Sequence, residues 1–108
     1  MDRESQRLYK LKADVIAVAG HPIRLAVIDF LKDGEQCVCD IAEFVGAKRS
    51  NVSRHLGVLL KAGVVSQRKD GLKMMYGLST PCLLNFTKCV EGVLRQNAQE
   101  AGKVLRSL

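Results

Sequence analysis

No apolar run in this sequence of 108 residues approaches the roughly 20 that a membrane-spanning helix requires, so no membrane partner is expected. The opening stretch, residues 1–14, is too densely charged for a secretory signal, and the expected compartment is the cytoplasm. Four cysteines in a reducing compartment point to metal, redox or core use rather than to a disulfide framework. No repeat and no low-complexity segment divides the chain. An enzyme is not expected. The nearest thiol pair is Cys37-Val38-Cys39, without the two-residue spacing and strand–helix–strand surround of a thiol oxidoreductase, and no base is set beside a nucleophile.

What remains is a single domain over residues 1–108, with 47% apolar residues and a formal net charge of +6. A chain of this size builds a modest core and gains from dimerisation, and its charge suits a polyanion. Residues 37–63 organise the rest. Ile41, Ala42 and Val45 mark one helix, which Gly46 ends, and Val52, Leu56, Leu59 and Leu60 mark a second at i, i+4, i+7, i+8 spacing. The other face of that second helix carries Lys48, Arg49, Ser50, Asn51, Ser53, Arg54 and His55. Two short helices joined at a glycine, the second rich in cations, amides and hydroxyls, form a helix-turn-helix pattern over about 38–62.

A helix from about Glu4 to Ala19 comes first, with Leu8, Leu11, Val15 and Ile16 along one stripe. Gly20-His21-Pro22 breaks it, and a second helix to about Lys32 is apolar almost all round, as a buried central helix is. Gly63 closes the helix-turn-helix in a left-handed conformation. Two strand-like runs over about 64–78 flank Asp70-Gly71, a hairpin signal, with Arg68, Lys69 and Lys73 near its tip. Met74 and Met75 alternate there, one inward and one outward. Thr80 as cap and Pro81 at the first position open a last helix to about 106. Its stripe of Leu83, Phe86, Val90, Val93, Leu94, Ala101, Val104 and Leu105 is more apolar face than a small core can cover. The expected architecture is mainly α with a small β-hairpin, α-α-α-α-β-β-α, a winged helix-turn-helix that dimerises through its first and last helices.

Residue chemistry divides the expected contacts to double-stranded operator DNA. Ser50, Asn51, Ser53, Arg54 and His55 have the donors and acceptors to meet base edges or nearby phosphates. Lys48, Arg49, Arg68, Lys69 and Lys73 suit phosphates, which set affinity and its salt dependence but not sequence preference.

The segments 20–25, 37–42, 50–56, 61–65 and 68–76, in that order, resemble the ArsR/SmtB family of dimeric winged-helix metalloregulatory repressors, over roughly residues 8 to 94. The resemblance implies a repressor that releases its operator on binding metal. Cys37-Val38-Cys39-Asp40 is similar to the motif of the arsenite sensors and of the cadmium/lead sensors. The arsenite type carries a third cysteine three residues after the second, where this chain has Ala42. The cadmium/lead type draws cysteines from its N-terminal arm, which has none here, and the last helix lacks the histidines of a zinc-type site.

The expected inducer is therefore As(III) or Sb(III), with Cd(II) or Pb(II) as alternatives and no organic cofactor, because soft thiolates select such ions. Cys37 and Cys39 supply two ligands, and Cys82 and Cys89, seven apart on the last helix, are the further candidates, with core filling as their other reading. Residues i and i+2 of a regular helix point apart. Either Cys37 therefore lies ahead of the helix in extended backbone, or binding unwinds the first turn. A redox- or persulfide-responsive repressor of the same fold is the alternative function.

Overall fold

The computed structural model describes residues 1–107. In chain order it forms α1 (Arg3–Ala19), α2 (Pro22–Phe30), a 3-10 turn (Leu31–Asp33), β1 (Gln36–Cys37) and α3 (Val38–Val45). α4 (Arg49–Lys61), β2 (Val65–Asp70), β3 (Lys73–Leu78) and α5 (Cys82–Ser107) follow.

Local chemistry sets most boundaries. Asp2 caps α1, its Oδ1 accepting from the Ser5 N–H at 2.7 Å. His21 caps α2 through Nδ1, which accepts from the Ile23 N–H at 3.1 Å, and Pro22 takes the first helical position, where no N–H is needed. Gly46 (φ 71°) ends α3 and Gly63 (φ 79°) follows α4, both in the left-handed region that only glycine enters cheaply.

Three expectations need correction. The wing is part of a three-stranded antiparallel sheet of order β1-β3-β2, rather than a lone hairpin. After the 3-10 turn, Gly34 (φ 142°) redirects the chain, and Gln36 and Cys37 pair with Tyr76 and Met75. A strand of two residues has no period to read, and only its partner reveals it. The second helix ends at Phe30, its remainder tightening into the 3-10 turn. Thr80 and Pro81 do not open α5 as expected: the helix begins at Cys82, and the Thr80 hydroxyl donates to the Val64 carbonyl at 3.2 Å, tying the approach to α5 to the start of β2.

The hairpin forms where expected. Asp70 pairs with Lys73, leaving Gly71 and Leu72 as the turn. Gly71 has φ 63° and Leu72 has no positive φ, the pattern of a type II′ turn with glycine first. Met75 is half-buried and Met74 exposed.

The core is aliphatic and centred on the helix-turn-helix. Val27, Ile28 and Leu31 meet Ile41 and Ala42 of α3, Val52, Leu56 and Leu59 of α4, and Val64 and Val65 at the start of β2. α1 adds Ala19 alone, and α5 has no buried residue in 26. Leu83 and Leu84 touch the core edge, after which α5 projects away. The radius of gyration is 17.4 Å, against about 13 Å for a compact domain near this size. A groove of about 500 Å³ runs between α1, α2 and α5, lined by Ile16, Leu25, Phe86, Val90 and Leu94.

Leu56 is fully buried, whereas Leu72 stands free at the wing tip. Leu56→Ala is expected to lower unfolding free energy by about 2–5 kcal/mol, from lost burial and the cavity left behind, and Leu72→Ala to change it by under about 0.5 kcal/mol. Urea unfolding at one fixed protein concentration measures both.

Candidate nucleic-acid interface and thiol sites

α4 shows two chemistries on two faces. Val52, Leu56 and Leu59 have no accessible surface, and a helix of 3.6 residues per turn then turns residues 50, 53, 54 and 57 outward. Ser50, Ser53 and Arg54 are exposed, as are Lys48 and Arg49 at the start of the helix. Asn51 is half-buried, and its Oδ1 accepts from Arg54 Nη2 at 2.6 Å, which ties the amide to the guanidinium. Gly57 completes this outer row, and a Cβ there would meet nothing within 4 Å. Packing inside the chain does not call for a glycine at 57, although glycine costs a helix interior about 0.5–1 kcal/mol. Within that row the short side chains of Ser50 and Ser53 and the bare Gly57 let another surface come close to the helix backbone.

His55 is not part of the outer row expected to face DNA. It is buried, 6% exposed, because position 55 falls at the edge of the inner stripe, beside 59. Its Nδ1 accepts from Arg24 Nε at 3.1 Å, and its ring lies 4.4 Å from that of His21. Arg24 Nη1 donates in turn to the Val18 carbonyl at 3.1 Å. One guanidinium thus joins α1, α2 and α4. Sequence reasoning did not single out Arg24 for this role; the signal available was the 52-55-56-59 spacing, which leaves an inward imidazole in need of a donor.

On the wing, Lys69 and Lys73 are exposed and have no ion-pair partner among the described residues. Arg68 is also exposed, but Glu35 holds it through contacts of 2.7 to 3.2 Å. The Arg68 guanidinium holds the Glu35 carboxyl below the usual carboxylate range.

The thiols are free and scattered. Cys37 is buried in extended backbone (φ −84°, ψ 163°) as the residue before α3, while Cys39 is exposed in the first turn. The extended alternative for Cys37 is therefore the observed one. Cys82 and Cys89 are exposed on α5. No three or more His, Cys, Asp or Glu side chains converge to hold an ion among the described residues. Among the described residues, the four thiols do not gather into a three-thiolate site within one chain.

Residues 21–67 match the family described as bacterial regulatory protein, arsR family. An HTH-type transcriptional regulator of Mycobacterium tuberculosis is 35% identical over 97% of this chain and 93% of that protein. Its crystal structure superposes with a TM-score of 0.75, at 34% identity, over 86% of this chain and 94% of that one. The chain belongs to the ArsR family. An arsenical resistance operon repressor of Staphylococcus xylosus is 35% identical over 66% of this chain and 68% of its own length. A homodimeric winged helix-turn-helix domain from Mycobacterium bovis shares the fold at 23% identity, with a TM-score of 0.76 over 93% of both chains. As an ArsR-family winged helix-turn-helix protein, the chain is a DNA-binding transcriptional repressor and not an enzyme. Among the described residues, no helix is long and apolar enough to cross a membrane.

The His55 contact predicts a loss of stability in mild acid. Burial, then the charges of His21, Arg24 and Arg54, push the His55 pKa below its ordinary value of 6.5. Protonation would also place a second donor against Arg24 Nε. Because the folded value is the lower one, the stabilisation is complete above about pH 6.5 and is lost as pH falls from there toward the depressed value. Urea unfolding between about pH 7.5 and 5 should show a steeper loss in wild type than in His55→Asn, whose Oδ1 accepts without titrating. Equal slopes would remove His55 from the acid response.

Proposed function

We propose that this chain is a homodimeric, cytoplasmic operator-binding repressor that releases DNA when a thiophilic metalloid, arsenite or antimonite, engages thiolates at the start of α3. The carrying observation is α4, whose inner stripe is sealed in the core while Lys48, Arg49, Ser50, Ser53, Arg54 and Gly57 are left open on a winged helix-turn-helix frame. In this reading Ser50, Asn51, Ser53 and Arg54 meet base edges and nearby phosphates. Lys48, Arg49 and the wing residues Arg68, Lys69 and Lys73 meet the backbone. The whole chain is one DNA-binding unit, with α5 as its dimerisation helix.

The dimer is supported by uncovered apolar surface. Leu8, Leu11 and Ile16 of α1 are each at least half exposed, as are Val93, Leu94, Val104 and Leu105 of α5. A second copy's α1 and α5 would cover this surface and the groove beside it, and the M. bovis domain of the same fold is homodimeric.

Arsenite is supported by the Cys-Val-Cys-Asp segment and by the likeness to the S. xylosus arsenical resistance repressor. Cys37 and Cys39 give two soft donors. No third donor converges on them among the described residues, and in this reading Cys82 or Cys89 of a second copy completes the three-thiolate set. Cadmium or lead is the alternative ion. The absence of that trio, together with three exposed free thiols, favours one second reading, a thiol switch. There, two thiols lose two electrons and two protons to an oxidant and join as a disulfide.

Fluorescence anisotropy on a duplex from the chain's own upstream DNA tests these readings under reducing conditions. Micromolar sodium arsenite should release wild type, and the response should fail in Cys37→Ser, in Cys39→Ser and in one of Cys82→Ser and Cys89→Ser. Serine at 37 occupies the N-cap of α3, where a hydroxyl is favoured, so that variant keeps the helix. Arsenite release that survives loss of both Cys37 and Cys39 overturns the metalloid site. Release by diamide alone, with intact DNA binding and no response to arsenite, antimonite, cadmium or lead, selects the thiol switch.

A further inference from the structure

Arg68 is the one expected phosphate-contacting cation on the wing that already holds an anion. Its Nη2 donates to Glu35 Oε1 at 2.7 Å, and its Nε donates to Oε1 and Oε2 at 3.1 and 3.2 Å. This is the fork-on-oxyanion arrangement that an arginine makes with a phosphate. The fold provides for it. Gln36 pairs with Tyr76, which sets Glu35 at the level of Gly77 on the middle strand, and Arg68 lies on β2 beyond it. A Cβ at Gly77 would stand 3.4 Å from the Glu35 Cγ, so the glycine leaves room for the carboxylate to cross the strand.

We propose that Glu35 is an intramolecular stand-in for a DNA phosphate, one that occupies Arg68 in the free protein and must be exchanged for the backbone when the wing engages DNA. This rests on the DNA-binding reading above and adds a control on the affinity of that same interface. Both side chains are about half exposed, 54% for Arg68 and 40% for Glu35, so water and an incoming phosphate can reach the pair. An exposed pair is weak enough to be exchanged at little cost. A glutamate is ionised at neutral pH, and the hydrogen bonds from Arg68 lower the Glu35 pKa further, so the competing group is charged there.

The position of Glu35 gives the exchange a second meaning. It stands next to β1 and two residues before Cys37, and Cys37 itself pairs with Met75 opposite Arg68. A change of backbone at Cys37 therefore reaches the carboxylate that masks Arg68 without passing through the core.

A double-mutant cycle in the anisotropy assay, run over a salt series, tests the exchange with wild type, Glu35→Gln, Arg68→Gln and the double variant. Asp33→Asn serves as the control for simple loss of a nearby exposed negative charge. Glu35→Gln should tighten DNA binding about two- to fivefold, the range an exposed ion pair supplies. Arg68→Gln should weaken binding and flatten the log K against log salt slope by about 0.9, one phosphate contact. In the Arg68→Gln background, the Glu35→Gln gain should shrink to that of Asp33→Asn. Thermal melts followed by circular dichroism confirm that each variant is folded. In parallel, adding duplex to wild type should move the Glu35 side-chain carboxylate resonance toward the position it has in Arg68→Gln, where no guanidinium holds it. Weaker binding by Glu35→Gln would mean that the carboxylate positions Arg68 for DNA and would overturn the proposal. An equal gain in both backgrounds, or a Glu35 carboxylate resonance that duplex leaves unmoved, would overturn it as well. Failure of wild type to bind the duplex at all is a different result, and it is the DNA-binding reading that falls.

Discussion

The rotation of α4 about its own axis is the constraint on which the rest depends. Each residue of an α-helix turns about 100° from the last, so a slip of one position would expose Leu56 or bury Arg54. Complete burial of Val52, Leu56 and Leu59 makes such a slip costly, but apolar packing is non-directional and resists small rotations only weakly. The directional part comes from Arg24, which fixes His55 on α4 while anchored to the Val18 carbonyl at the end of α1. The outward row of Ser50, Ser53, Arg54 and Gly57 is held by that lock.

The sheet supplies a second connection. Cys37 belongs at once to β1 and to the start of α3, and α3 contributes Ile41 and Ala42 to the same core as α4. An event at this residue has two ways outward, through α3 into the position of α4 and through β3 into the wing. Both ends of a winged helix-turn-helix are thereby within reach of one short segment. The thiols of α5 have no such connection within the chain, and α5 buries nothing of its own.

What the sequence disclosed follows from the range of the interactions involved. Stripes at helical spacing fixed α4 and α5, and glycines at 46, 63 and 71 marked turns that require positive φ, because both signals are local. β1 was not legible, since two residues become a strand only through Tyr76 and Met75, about forty positions away. Thr80 reads as a cap by type, but the Val64 carbonyl claims its hydroxyl. His55 reads as a DNA contact by chemistry and as core by spacing, and spacing prevailed once Arg24 provided a donor. Arg68 was legible as a cation, but its tie to Glu35 spans 33 positions and leaves no local trace. The cysteines were legible as soft donors, yet their convergence depends on tertiary and quaternary geometry that no spacing encodes.

The most direct measurement is a hydroxyl-radical footprint of the protein on its own upstream DNA. Two copies of α4 in successive major grooves give two protected patches on one face of the duplex, with centres about 10–10.5 base pairs apart. Arg54→Ala should weaken both patches together. A single patch, or protection without that spacing, would contradict a homodimer that reads DNA with paired recognition helices.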